Sequence, residues 1–145
     1  MAEASADTPS AQEHHAPATV ADVMRPALTT VDQNDHAAAA AYLMKHAGKT
    51  ALVVLDGPAN RPIGLITEAD IVHTVADGKD VNEVRIRDLM TKSPRVIAAT
   101  TSIRDAAETM LGGRFRHLPV VDGSELSGIV DIGDICRALL DQPAG

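Results

Sequence analysis

The apolar positions of this chain follow two spacings, and both recur in the same order twice. A short apolar run, Leu28 to Val31, predicts a β segment. Ala37, Ala40, Ala41 and Met44 then fall at i, i+3, i+4 and i+7, the spacing of one helix face. Gly48 stops that helix. Two apolar runs follow, Ala51 to Leu55 and Ile63 to Ile66, with Asp56–Gly57 as turn residues between them. A second helix is expected to start near Thr67. The order returns with Val96 to Ala98 as strand and with Ile103, Ala106, Ala107 and Met110 as helix face. The pair Gly112–Gly113 is the expected stop. Leu118 to Val121 and Leu126 to Val130 are the next strands, around Asp122–Gly123, and a last helix starts near Asp131.

The repetition extends to individual letters. Asp22, Val23 and Met24 of "VADVMRP" match Asp88, Leu89 and Met90 at an offset of 66 residues. "ALVVLDG" from Ala51 matches "HLPVVDG" from His117 at the same offset, whereas "GLITEADI" from Gly64 and "GIVDIGDI" from Gly128 stand 64 apart. The first copy therefore carries two extra residues in the "PANRPI" loop, where folded copies tolerate a length change. The fold class is α/β of the α+β type, two β-α-β-β-α repeats. About 60 residues is too few for a good core alone, so the copies are expected to pack as one pseudo-twofold body. The divisions are a tail over 1–18, repeat 1 over 19–78, a linker over 79–85, repeat 2 over 86–141 and a short end over 142–145.

Composition narrows the function. The tail, "MAEASADTPSAQEHHAPA", has three acids and no base and reads as disordered. His14 and His15 within it are weak metal ligands at best. The 145 residues include one Tyr, one Phe and no Trp, and the formal net charge is −7 with no run of bases. Base stacking and a basic patch are both missing, which argues against nucleic acid. A single cysteine, Cys136, excludes an internal disulfide and suits a reducing cytosol. Its apolar helical setting predicts a small buried hydrophobe. No apolar run is long enough for a membrane span, and the expected location is cytoplasmic. His36, His46 and His73 are isolated, and no zinc spacing or nucleophile–base pair is evident. The chain is expected to hold no metal and to be no enzyme.

The entry "DVM.P", the strand "RHLPVVDG" and the exit "GLITEADI", each in two copies and in one order, resemble tandem CBS domains, the Bateman module. The resemblance covers about Thr19 to Asp141. It implies two repeats facing each other across clefts, association into a disc-shaped homodimer, adenosine ligands (AMP, ADP, ATP or S-adenosylmethionine), and a regulatory role toward a partner protein.

Thr67 and Asp70 have a plain explanation as helix cap and first-turn acid, and Asp131 and Asp134 would serve the second helix equally. The same geometry suits a ligand, because a helix N-terminus favours phosphate. The resemblance assigns the phosphate to Thr67 and the ribose hydroxyls to Asp70. It lines that primary cleft with Leu65, Ile66, Val96, Ile97, Arg116, His117, Leu118 and Pro119, with Arg114 nearby. The second cleft would hold Asp131, Asp134, Thr29, Thr30, Val31, Thr50 and Ala51: two carboxylates and no base. Asp131 caps as well as Thr67 but repels phosphate, so one cleft is expected to bind AMP and Asp131→Thr to open the other. Two alternatives stand beside this: an interaction module with vestigial clefts, and a pair that binds S-adenosylmethionine.

Overall fold

Seven strands and five helices were found in the computed structural model, which describes residues 17–141. In the first copy β1 (Thr30–Asp32), α1 (Ala37–Ala47), β2 (Ala51–Asp56), β3 (Arg61–Thr67) and α2 (Glu68–Ala76) follow in the expected order. After α3 (Ile86–Leu89) and β4 (Thr91–Lys92), the second copy runs β5 (Ile97–Ala98), α4 (Ile103–Gly113), β6 (His117–Asp122), β7 (Glu125–Asp131) and α5 (Ile132–Leu140). The first strand is shorter and later than its apolar run, since Leu28 is 88% exposed and lies outside it.

The two sheets share one plan. β1 lies parallel to β2, and β2 antiparallel to β3, with Ala51 opposite Thr67. β5 lies parallel to β6, and β6 antiparallel to β7, with His117 opposite Asp131. Both hairpins carry an irregularity at matching places, Val54/Leu55 and Val120/Val121. The predicted faces are buried at Ala37, Ala40 and Met44 on α1, where Ala41 is only half-buried, and at Ile103, Ala106, Ala107 and Met110 on α4.

The entry segments cross over. Val20 is fully buried in the core built by Ile103, Met110, Leu118 and Ile135, with Met24 packed against it. Ile86 and Met90 are buried in the other core, with Val31, Met44, Leu52 and Ile66. Backbone hydrogen bonds repeat the exchange. The Val20 amide donates to the Thr101 carbonyl at 2.9 Å, and its counterpart Ile86 donates to Asp35 at 2.8 Å. β4 pairs with β3, and Arg25 bridges Ile129 of β7 at the equivalent register. Each copy's entry therefore completes the other copy's sheet and core.

Glycine makes the close approach possible. The Met90 side chain occupies the space a Cβ on Gly64 would need. At Gly128 a Cβ would lie 2.7 Å from the Arg25 carbonyl oxygen and 2.9 Å from Met24 Sδ. The glycine of each exit phrase is thus where the opposite entry crosses the strand.

Three local expectations change. Gly48 ends α1 in the left-handed region at φ 65°, as its position predicts. The pair Gly112–Gly113 does not stop α4; the helix runs through Gly113 and Arg114 takes the left-handed cap at φ 57°. Gly113 is needed because the Phe115 ring lies where its Cβ would be. Cys136 is exposed on α5 and is not the buried hydrophobe its neighbours suggest. The stretch over 79–85 is more than a linker, because the carbonyls of Val84 and Val81 accept from Ala37 and Ala38, whose amides open α1. The longer loop after Gly57 also binds across, its Asn60 carbonyl accepting from Leu126 of β7 at 3.0 Å.

The crossings differ in what must give way. Gly64→Ala meets a flexible methionine, whereas Gly128→Ala meets a backbone carbonyl held in a bridge. We expect Gly128→Ala to cost about 1–3 kcal/mol, as overpacking does, and Gly64→Ala to cost less. Urea unfolding of both variants checks the order.

Candidate functional site

Each exit phrase leads from a strand directly into a helix, and the residue between them is the cap. Thr67 caps α2: its hydroxyl accepts from the Asp70 amide at 3.4 Å, and Asp70 Oδ2 accepts from the Thr67 amide at 2.8 Å and from the Thr67 hydroxyl at 3.1 Å. Asp131 caps α5 in the same way, its Oδ1 accepting from the Asp134 amide at 2.8 Å. Both are capping boxes with Asp as the third helical residue. The helices are anchored alike, Glu68 donating its amide to the Thr50 carbonyl and Ile132 to the Arg116 carbonyl. The capping explanation therefore holds for both copies, and it leaves open what else each pair can reach.

The larger cleft has a volume of about 530 Å³ and runs along Leu65, Thr67, Arg116, His117 and Leu118. Five of the expected primary residues thus come together. Asp70 stands behind Thr67 and does not line the cleft wall, and neither does half-buried Val96. Ile66, Ile97 and Pro119 are buried and support the wall from within. Thr91, Arg95, Arg114, Glu68 and Phe115 line the cleft as well. Arg95, Arg114 and Arg116 are exposed and make no side-chain hydrogen bond or ion pair with a described residue. The cleft thus presents three unpaired guanidinium groups against one acid, Glu68.

A smaller cleft of about 300 Å³ contains Thr50, Ala51, Asp131 and Asp134 as expected, but not Thr29, Thr30 or Val31. It is not free of bases, because Arg25 and Lys49 line it. Arg25 Nη2 lies 2.9 Å from Asp134 Oδ1, and Arg137 Nη2 lies 2.7 Å from the same oxygen. The Asp134 side chain is 5% exposed. Burial pushes its carboxyl up, but the hydrogen bond from Arg25, the Asp131 amide, the Arg25 charge and Arg137 together hold it below the usual carboxylate range. Arg25 is 109 positions from Asp134, so only the crossed entry brings them together.

One contact separates the clefts. The Thr50 hydroxyl lies 3.0 Å from His117 Nε2, and both residues line both clefts. Burial pushes the His117 imidazole below its ordinary value; the Asp131 charge opposes this and Arg116 adds to it. Among the described residues no group of three or more His, Cys, Asp or Glu could hold a metal ion. None of their helices is long and apolar enough to cross a membrane. The expected roles of His14 and His15 lie outside the described residues.

Sequence reasoning misses Thr91 and Arg25 because it assigns each to the repeat that contains it. A signal exists: each follows the methionine of an entry motif, at the common offset of 66.

Two sequence repeats with crossed entries and clefts between them define a tandem-repeat domain pair. The CBS domain model matches residues 20–77 and 86–141, and the chain belongs to the CBS family. It is 41% identical over 112 residues, 77% of its length, to an uncharacterized 17.7 kDa protein of Acidianus ambivalens. The chain spans between half and two thirds of the length of several curated relatives that it matches. Among solved structures it is similar to a hexameric CBS-CP12 protein from bloom-forming cyanobacteria, with TM-score 0.79 and 27% identity over 88% of this chain and 75% of that one. It is also similar to CBSX2 of Arabidopsis thaliana in complex with AMP, with TM-score 0.70 and 31% identity over 84% and 96%.

The triad gives a pH test. Because the folded Asp134 value lies below the ordinary one of about 4, its stabilisation is complete above that value and is lost as pH falls through the lowered one. Asp134→Asn should lower unfolding free energy at pH 7 by about 1–3 kcal/mol. The gap to wild type should narrow as pH falls below about 4 and close once pH is below the lowered value, as thermal melts across pH will show.

Proposed function

We propose that this protein is a regulatory sensor of an adenine nucleotide, AMP foremost, bound in the larger cleft. The observation that carries this is the pairing of a capped helix start at Thr67 with Arg95, Arg114 and Arg116, none of them ion-paired with a described residue, around one cavity. A volume of about 530 Å³ lies within the range of small-ligand sites, roughly 300–1,000 Å³. Guanidinium groups are suited to phosphate oxygens because they are always charged and forked. Asp70 Oδ1 makes no hydrogen bond with a described residue, so this carboxylate, next to the cleft residue Thr67, keeps an acceptor for ribose hydroxyls. The likeness to a CBS-pair protein solved with AMP supports the same ligand, with ADP or ATP within the same class.

Binding would act by changing how the two copies pack, since the cleft is walled by residues of both. A partner protein would read that change, with no chemistry performed here. Self-association fits the surface: Tyr42 on α1, Val72 and Val75 on α2, and Leu111 on α4 are large apolar residues more than half exposed. The likeness to a hexameric CBS protein supports association without fixing its order. Light scattering should give a homodimer or a larger assembly; a monomer at micromolar concentration counts against this.

Calorimetry tests the ligand. Wild type should bind about one AMP per chain, and Asp70→Ala should weaken it ten- to a hundredfold. That corresponds to losing charge-assisted hydrogen bonds of about 1.5–3 kcal/mol. No heat with AMP, ADP or ATP would leave the clefts vestigial and favour an interaction module.

A further inference from the structure

We infer that Arg25 is an internal occupant of the smaller cleft, and that together with Asp131 it confines ligand to the larger one. This rests on the nucleotide reading of the larger cleft. The two copies can be compared position by position. Arg25 and Thr91 are equivalent at the entries, each opposite the matching exit-strand residue, Ile129 and Leu65. Asp134 and Asp70 are equivalent at the exits, as are Arg137 and His73, 64 apart.

The two carboxylates differ in what they have left to offer. Asp134 accepts from four donors: Arg25 Nε at 3.2 and 3.3 Å, Arg25 Nη2 at 2.9 Å, Arg137 Nη2 at 2.7 Å and the Asp131 amide at 3.3 Å. An ionised carboxylate has about four lone-pair sites, so it is saturated. Asp70 uses only Oδ2, for the two groups of Thr67. Its second oxygen remains available for a ligand.

Displacing Arg25 would exchange an ion pair for hydrogen bonds from neutral hydroxyls, which bring no opposite charge to the buried carboxylate. A ribose cannot offset that exchange. Nor can Arg25 swing away at its root. Its amide and carbonyl exchange hydrogen bonds with Ile129 at 2.9 Å each, which fixes its backbone beside the cleft. In the larger cleft the equivalent Thr91 carries no charge and makes no hydrogen bond to Asp70. The block in the smaller cleft is therefore Arg25 together with Asp131, not Asp131 alone.

The test exchanges the two residues and counts AMP by calorimetry, with circular dichroism to confirm folding. Asp131→Thr alone should leave about one AMP per chain. Arg25→Thr combined with Asp131→Thr should raise the count to about two. Thr91→Arg, on an exposed strand position, should place a guanidinium on Asp70 and weaken binding at least tenfold. Two AMP per chain in wild type or in Asp131→Thr overturns the inference, as does a folded double variant that gains no site. If the double variant does not fold, Thr91→Arg decides, and unchanged affinity there overturns it. If wild type takes no AMP but the double variant does, the larger-cleft reading falls and this inference stands. If neither binds, both fall.

Discussion

The structure depends on the crossing of each entry segment over the exit strand of the other copy. Met90 lies against Gly64, and Met24 and the Arg25 carbonyl against Gly128. At these points the chain needs a backbone without a Cβ, and the residue on the far side completes a core it does not belong to in sequence. Val20 and Ile86, both fully buried, are the hydrophobic anchors of the exchange. Neither copy can close without the other, because removing an entry would open a cavity in the opposite core. Cores of this size, built from Val, Ile, Leu, Met and Ala, have little stability to spare.

The crossing also decides the chemistry of the clefts. The exit phrases are near copies, and both place an Asp in the third position of a capped helix. The entry segments that arrive beside the two phrases differ at the residue after the methionine, Arg25 in one case and Thr91 in the other. With Arg137, Arg25 makes Asp134 the buried centre of an ion triad whose two guanidinium groups are exposed. Thr91 leaves Asp70 with a free oxygen. The same local cap has its carboxylate held in one copy by Arg25 of the opposite entry and Arg137 of its own helix, and in the other keeps one oxygen without a hydrogen bond to a described residue.

Charge follows a related pattern. A chain with formal net charge −7 still gathers Arg95, Arg114 and Arg116 around one cavity. Their side chains form no ion pair with a described residue, whereas Arg25 and Arg137 are held by Asp134. An anion entering the larger cleft meets preplaced charge and need not break an existing pair. The Thr50–His117 contact stands between the two environments and touches both.

The elements, their order and the duplication are legible in the sequence because apolar spacing is set by local geometry: period 3.6 for α1 and α4, and apolar runs for the hairpins. So are the two caps, since Thr67 and Asp131 satisfy amides within their own helix turn. Five residues of the larger cleft are legible through family likeness. The swap is not, because a periodic pattern says which face is buried but not against which copy. That is why Arg25 is absent from the smaller cleft as the sequence predicts it. Helix ends are legible where glycine needs a left-handed turn, at Gly48, and missed at Gly113, where glycine makes room for Phe115. Local covalent preferences determine the first kind of feature. Packing between residues distant in the chain decides the second, and only the tertiary structure contains it.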